Sequence, residues 1–392
     1  MAKRGAVLRL KKGREERARV HPWLFKGDVA DASDVDAGAA VTVIDAAGRF
    51  VGRGLFNSRP ALCCRIVTWR DEAIDARFLA RRLAAAVDAR VRNGAVPEVA
   101  RLVWSEADGL PGLVVDRYGP VLVLQALTLG MARLQRDLVA GLRSRLGDLA
   151  VFAVGDPVVA QIEGFEPVTD WVDHRGPDEV VVDEAGVRLA VRPGTGHKTG
   201  VYLDQAENRA RVASAAGDGD VLDVFAYTAG FACHALRAGA RRAVCVESSA
   251  EAIAGARRNL ELNALADRAE IRAVNAFDEL RRLDRGRERF DLVVLDPPPF
   301  ARGRSALADA LRGYKEINLR AMRLLASGGH LATFSCSYHV DDTTFEATCR
   351  DAASDAGVHL RVVARLGPAA DHPVLLTVPE TRYLKGLLLQ TV

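Results

Sequence analysis

Short apolar runs fill the first 70 residues. AVLRL, AAVTVIDA, FVGRGLF and LCCRIVTW each have strand character, and turn residues separate them, as in a small β domain. Between 71 and 190 the periods mix. DARFLARRLAAAVDARVR places apolar residues at helical spacing, and GLVVDRYG and PVLVLQAL have strand character. A second helix is expected near 131–146, followed by further short strands. RGPDE (175–179) has the composition of a linker.

From about 195 the rhythm becomes regular. Strands are expected at 220–225, 242–247, 269–274, 290–296 and 329–335, each followed by a helical pattern. VHLRVVARL and RYLKGLLLQTV then close the chain as an edge hairpin. Strands alternating with helices predict a parallel sheet covered on both faces. Nearly all-apolar strands fit burial on both sides. The expected fold class is α/β: a β domain over 1–70, a central α/β domain over 71–190 and a seven-stranded Rossmann-like sheet over 191–392.

With 392 residues and 49% hydrophobic character, the chain can bury a sizeable core in each of two or three domains. A net charge of +3 excludes neither nucleic acid nor small molecules as partners. Its distribution says more. Nine Lys/Arg against three Asp/Glu lie between Met1 and Ala30, an electrostatic footprint that suits phosphates. A merely solvated face has the same composition. Six cysteines, at 63, 64, 233, 245, 336 and 349, include no CxxC spacing. That argues against a disulfide framework and a zinc site, and no metal is expected. No leader-like apolar segment opens the sequence, and no apolar run approaches the roughly 18 residues of a membrane span. A soluble cytoplasmic protein without a membrane partner is expected.

In open parallel sheets, ligands sit beyond the carboxyl ends of the strands, at the switch point. The first expected strand runs into LDVFAYTAGFA, with Asp223, Phe225, Tyr227, Thr228 and Gly230 in a loop that opens a helix. Gly230 stands alone rather than in GxGxxG, which speaks against a pyrophosphate cradle. The second strand ends on Glu247, where a carboxylate can take both ribose hydroxyls. The third is followed by Asn275, Ala276 and Phe277, an amide to read an adenine amino group and a ring to pack on the purine. A helix cap or a turn explains each of these residues singly. Together they describe a nucleoside cofactor without a pyrophosphate: S-adenosylmethionine rather than a nicotinamide dinucleotide.

The fourth strand ends on DPPPF. Proline fixes φ and biases its predecessor toward an extended conformation. Asp296 can thus be held at a fixed distance from a methyl donor, with Pro297, Pro298 and Phe300 beside a substrate base. A rigid strand exit without a ligand is the competing reading. The fifth strand ends FSCSYH. Cys336, at the rim of the same sheet, is a candidate nucleophile. Cys63, Cys64, Cys233, Cys245 and Cys349 fall inside strands or helices and read as core. A thiolate added to C6 of cytosine makes C5 enamine-like and able to take a methyl group, whereas methylation at nitrogen needs no cysteine. PGTGHKTGVYLDQAENR (193–209) is expected to cover the cofactor, offering Gln205 to it and Lys198 and Tyr202 to the substrate. DHPVLLTVPETRYLKG (371–386) is expected at the edge of the site.

LKKGREERARVHPWLFKGDV, EADGLPGLVVDRYG, GHKTGVYLDQAENR, LDVFAYTAGFA, LDPPPF, FSCS and DHPV…PETRYLKG occur in that order along nearly the whole chain. Together they resemble the large-subunit ribosomal RNA cytosine-C5 methyltransferase I family. The resemblance implies an RNA-binding PUA domain of small β-barrel type at the N-terminus, a central α/β insert and a class I methyltransferase domain. It implies Cys336 as nucleophile and Asp296 as a holder of the target cytosine. It implies cofactor contacts by Asp223 and Glu247, the latter on the ribose. Asn275 departs from the pattern, where Asp is more usual. The implied partner is large-subunit ribosomal RNA, and a homodimer is left open. Two other readings stay open at this point: an RNA amino-nitrogen methyltransferase using the DPP motif, and a non-catalytic RNA-binding factor.

Overall fold

The computed structural model describes residues 6–392 apart from 33, 195–199, 301, 302, 304 and 305. Lys198 therefore lies outside the described residues. The chain divides into two compact units. One comprises Met1–Val180, Arg192–Gly200 and Asp371–Thr381; the other comprises Val181–Val191, Val201–Ala370 and Arg382–Val392.

The first unit contains two larger sheets, and short helices α1 (Glu15–Ala18) and α5 (Pro157–Glu163) lie in its connections. Strands β1 (Val7–Leu10), β2 (Trp23–Phe25), β3 (Val29–Asp31), β4 (Ala40–Ile44), β5 (Phe50–Phe56) and β6 (Leu62–Thr68) form one, in the order β2-β6-β5-β4-β1-β3. The hydrophobic pattern predicts four of these; β2 and β3 are too short to show a period. Alternation puts Leu8, Leu10, Val41, Val43, Cys64 and Ile66 into one core. β5 and β6 approach so closely at Gly54 that a Cβ there would lie 2.6 Å from the Arg65 carbonyl oxygen. No larger residue fits.

The second sheet of this unit runs β11-β10-β9-β8-β7. Its strands are β7 (Val99–Trp104), β8 (Leu113–Tyr118), β9 (Val121–Ala126), β10 (Ala150–Ala153) and β11 (Asp170–Trp171). Helix α2 (Ala76–Asp88) is capped by Asp75, whose side chain accepts from the Phe78 amide, and buries Phe78, Leu79, Leu83 and Val87. The helix expected near 131–146 is two helices, α3 (Leu129–Arg133) and α4 (Gln135–Leu146). They are broken at Leu134, whose ψ of 3° leaves the helical range. β7 escapes the sequence pattern because Arg101 interrupts it. The fold buries that arginine, bidentate on Asp116 of β8 at 2.7 and 2.8 Å. The Arg101 amide and Arg90 also hold Asp371, both at 2.8 Å, which seats the 371–381 segment in this unit.

Apart from Val180, the hairpin of β12 (Val180–Glu184) and β13 (Val187–Val191) opens the second unit. Its main sheet has seven strands in the order β16-β15-β14-β17-β18-β20-β19. The strands are β14 (Asp220–Val224), β15 (Arg242–Glu247), β16 (Ala269–Ala273), β17 (Phe290–Leu295), β18 (Leu325–Ser335), β19 (Leu360–Leu366) and β20 (Lys385–Thr391). β14 through β18 run parallel, and β20 runs antiparallel between β18 and β19. The expected edge hairpin is thus present. Helices α6 (Ala206–Ala213), α7 (Gly230–Arg237), α8 (Ala250–Leu262), α9 (Ala276–Gly286), α10 (Leu307–Arg323) and α11 (Asp342–Ala356) connect and cover the strands. α10 ends sooner and β18 begins sooner than the pattern predicts, because Leu325 already pairs with Phe290 across a bulge. The chain leaves β14 toward β16 on one side and returns to β17 on the other. That reversal opens a crevice at the carboxyl ends of β14 and β17.

Candidate active site

The exit from β14 holds three non-glycine residues in a left-handed conformation. Phe225, Tyr227 and Ala229 have φ of 62°, 48° and 58°. Non-glycine residues in this left-handed region cost on the order of 1–3 kcal/mol each and persist where surrounding contacts over-determine them. Those contacts are present. The Ala226 amide donates to the Val246 carbonyl at 3.1 Å, and the Ala229 amide to the Ala226 carbonyl at 2.7 Å. The Tyr227 amide donates to Glu247 Oε2 at 2.9 Å. The Thr228 carbonyl accepts from Asn259 Nδ2 at 2.9 Å.

Glu247, at the end of β15, also accepts from the Ser248 and Ser249 amides through Oε1, at 2.7 and 2.9 Å. It therefore ties the β14 exit to the start of α8. Asp223 is buried and accepts from the Ala232 amide in the first turn of α7 at 3.0 Å. Burial, with Asp296 and Glu247 adding negative field, pushes its carboxyl up to about 7. These carboxylates converge on the crevice. Asn275 is exposed and caps α9, its Oδ1 accepting from the Phe277 and Asp278 amides at 2.9 and 3.4 Å. Ala276 is buried in the core.

Asp296 follows β17 and donates its amide to the Val224 carbonyl at 3.4 Å. Pro297 is buried and Pro298 exposed. Phe300 packs among Phe225, Phe277 and Tyr314, with ring centroids 6.3, 5.8 and 4.7 Å away. Cys336 follows β18. Its thiol faces the Pro297 carbonyl oxygen at 3.7 Å, so the DPP turn and the cysteine lie side by side. The other five cysteines are buried and Cys336 is half-buried.

Tyr202 stacks edge-on against Tyr227 at 5.0 Å. Burial, together with Tyr227, Asp296, Asp204 and Cys336, pushes its hydroxyl up. Gln205 is buried, accepts from Asn208 at 2.6 Å, and has no acceptor for its Nε2 among the described residues. A buried donor left unmade costs about 1–3 kcal/mol, which a polar ligand can recover.

Sequence reasoning missed two groups. Arg209 is buried under Gly230 and bidentate on Glu184 at 2.7 and 2.6 Å, while His234 lies 3.0 Å from the same carboxylate. Arg209 sits in the quoted AENR stretch, but nothing local marks Glu184 or His234. Lys385, opposite Ser335 in the β18–β20 register, donates to the Ser337 carbonyl at 2.7 Å. Among the described residues no cluster of His, Cys, Asp and Glu could hold a metal ion.

A family profile for S-adenosylmethionine-dependent methyltransferases matches residues 157–389, and one for PUA-like domains matches residues 8–69. The ribosomal RNA large subunit methyltransferase I of Alteromonas mediterranea is 38% identical over 375 residues, covering 94% of both chains. That of Klebsiella pneumoniae is 39% identical over 386 residues, covering 96% of both. The chain belongs to the ribosomal RNA large subunit methyltransferase I family. A solved S-adenosylmethionine-dependent methyltransferase from Streptococcus mutans shares the fold, with TM-score 0.84 at 18% identity, covering 98% of this chain and 99% of that one.

As a methyltransferase of this family the protein uses S-adenosylmethionine, and the residues present fit that cofactor. Carboxylates converge at the strand ends, a buried amide donor awaits an acceptor, and the β14 exit is held rigidly in an unusual conformation. No helix among the described residues is long and apolar enough to cross a membrane.

Proposed function

We propose that this protein methylates C5 of a cytosine in large-subunit ribosomal RNA, with Cys336 as the nucleophile. The observation that carries this reading is the half-buried thiol of Cys336 beside the DPP turn, at a strand end next to the converging carboxylates. Bound S-adenosylmethionine supplies a methyl group activated by its sulfonium charge. Asp223, Phe225, Tyr227, Thr228, Gly230 and Glu247 would hold it, with Gln205, Asn275, Ala276 and Asp296 adjoining. Asp296 would grip the base edge, with Pro297, Pro298, Phe300 and Tyr202 around it.

Cys336 Sγ adds to C6 of the cytosine, which gives C5 the electron density of an enamine carbon. Once C5 carries the methyl group, loss of its proton restores the double bond and expels the thiolate. A duplexed target must first be flipped out at a cost of a few kcal/mol, so an accessible loop cytosine is the expected substrate. Residues 1–70 would grip the RNA backbone, 71–190 would form the central domain and 191–392 would carry the chemistry.

Cys336→Ala tests the reading. Methyl transfer to ribosomal RNA is expected to vanish while calorimetry still detects S-adenosylmethionine binding. RNA carrying 5-fluorocytidine should form a denaturation-resistant adduct with the wild type and none with the variant, because fluorine at C5 blocks the final elimination. Normal methylation by Cys336→Ala, or a product methylated on the exocyclic nitrogen, would overturn it.

A further inference from the structure

Lys385 is 3% exposed. Among the described residues its ammonium has a single hydrogen-bond acceptor, the Ser337 carbonyl oxygen, and no carboxylate within 4.0 Å. A buried cation without an ion-pair partner is costly. The carboxylates that act on this ammonium are committed elsewhere. Asp342 is bidentate on Arg382 at 2.9 and 2.8 Å, and Asp341 caps α11 through the Thr344 amide at 2.7 Å. Burial draws the ammonium down to about 8, while Asp342, Cys336 and Asp341 act in the opposite direction.

The same lysine fixes the backbone that carries Cys336. Lys385 faces Ser335 across the ladder and reaches past Cys336 to the carbonyl of Ser337. Ser337 is held on its other side by Tyr314, whose hydroxyl lies 2.8 Å from its Oγ. Cys336 is thus bracketed by two anchored serines, with its thiol turned to Pro297. The choice of lysine is itself unusual here. Seven of the 54 basic residues are lysines, and the rest are arginines. Lysine presents its charge as a single compact ammonium on a flexible stem.

We infer that Lys385 is a positioning residue for Cys336: its ammonium holds the 335–337 strand exit and favours the Cys336 thiolate as its counter-charge. This rests on Cys336 being the nucleophile. The thiol proton goes to bulk water, and Lys385 stays protonated. Groups in the field of this pair include Asp296 at the DPP turn, Tyr202 before α6, Tyr314 of α10, Asp341 and Asp342 at the start of α11, and Arg382 before β20.

The test is the pH profile of Cys336 alkylation by iodoacetamide, read peptide by peptide in a mass spectrometer. Lys385→Met is expected to alkylate roughly tenfold more slowly at pH 7 and to reach the wild-type rate at high pH, with Lys385→Arg following the wild type. Superimposable Met and wild-type profiles, or an Arg variant that behaves like Met, would overturn the inference. Should the Met variant not fold, the reciprocal coupling can be read without it. The side-chain NMR titration of Lys385, resolvable among seven lysines, is expected at lower pH in Cys336→Ala than in the wild type. An unchanged midpoint overturns the inference equally. Neither readout needs methyl transfer. An active Cys336→Ala enzyme would therefore sink the nucleophile reading and leave the thiol–ammonium coupling separately measured.

Discussion

A carboxyl group buried at the end of β14 faces Glu247 and Asp296, and its proton affinity is set mainly by that burial. Asp223 ionises near 3.8 in the unfolded chain and near 7 in the folded one. Between those values the native state holds a proton that the unfolded state releases, so this group opposes folding increasingly as pH rises. Asp223→Asn keeps an acceptor for the Ala232 amide and removes the titration. The variant should gain stability relative to the wild type between pH 4 and 7, on the order of a few kcal/mol, while losing affinity for S-adenosylmethionine. Urea midpoints across that range, with calorimetry at neutral pH, check both. The placing of Asp223, Glu247, Asp296 and Cys336 at or beside strand ends was legible in the sequence, because each lies in or next to an apolar run; strand ends are where an α/β sheet binds ligands. Lys385, Glu184 and His234 were not. A lone charge in a sequence acquires meaning through burial and through partners far along the chain, and neither leaves a local trace.

At the scale of elements, the β14 exit joins backbone conformation to packing. Gly230 is required by its neighbour rather than by its own φ, since a Cβ would lie 2.9 Å from Arg209 Cδ. Arg209 cannot swing away without breaking its bidentate pair with Glu184. Burial alone would raise Glu184, yet Arg209 and His234 outweigh it and hold the carboxyl near 2. Gly230→Ala is therefore expected to destabilise the fold by about 1–3 kcal/mol, measurable by urea unfolding, with cofactor binding weakened. Regular elements of the sheet were readable because buried parallel strands are nearly all apolar. β7 was not, because Arg101 and its partner Asp116 form an ion pair inside a sheet. The break between α3 and α4 was not either, since Leu134 is as good a helix former as its neighbours and only the backbone turn at that point separates the two.

For the molecule as a whole, charge is distributed rather than excessive. Lys11, Lys12, Arg14, Arg17 and Arg19 are all exposed in the PUA-like domain. Replacing Lys11 and Lys12 with Glu should weaken RNA binding and flatten its salt dependence, by a slope of roughly 1.5–2 if both touch phosphate. Filter binding across a salt series measures this, and S-adenosylmethionine affinity should not change. An unaltered salt slope would place the RNA contacts elsewhere.

The first unit draws on Asp371–Thr381, a segment between the last two strands of the second unit. Within that unit, Arg90 and the Arg101 amide grip Asp371, and His21 lies 3.2 Å from Glu380. Chains emerge from the ribosome in order, and domains usually fold as they emerge. Here the N-terminal unit draws on a segment that is made only after β19. A nascent chain halted before residue 371 would carry that unit without the segment that Arg90 and the Arg101 amide grip.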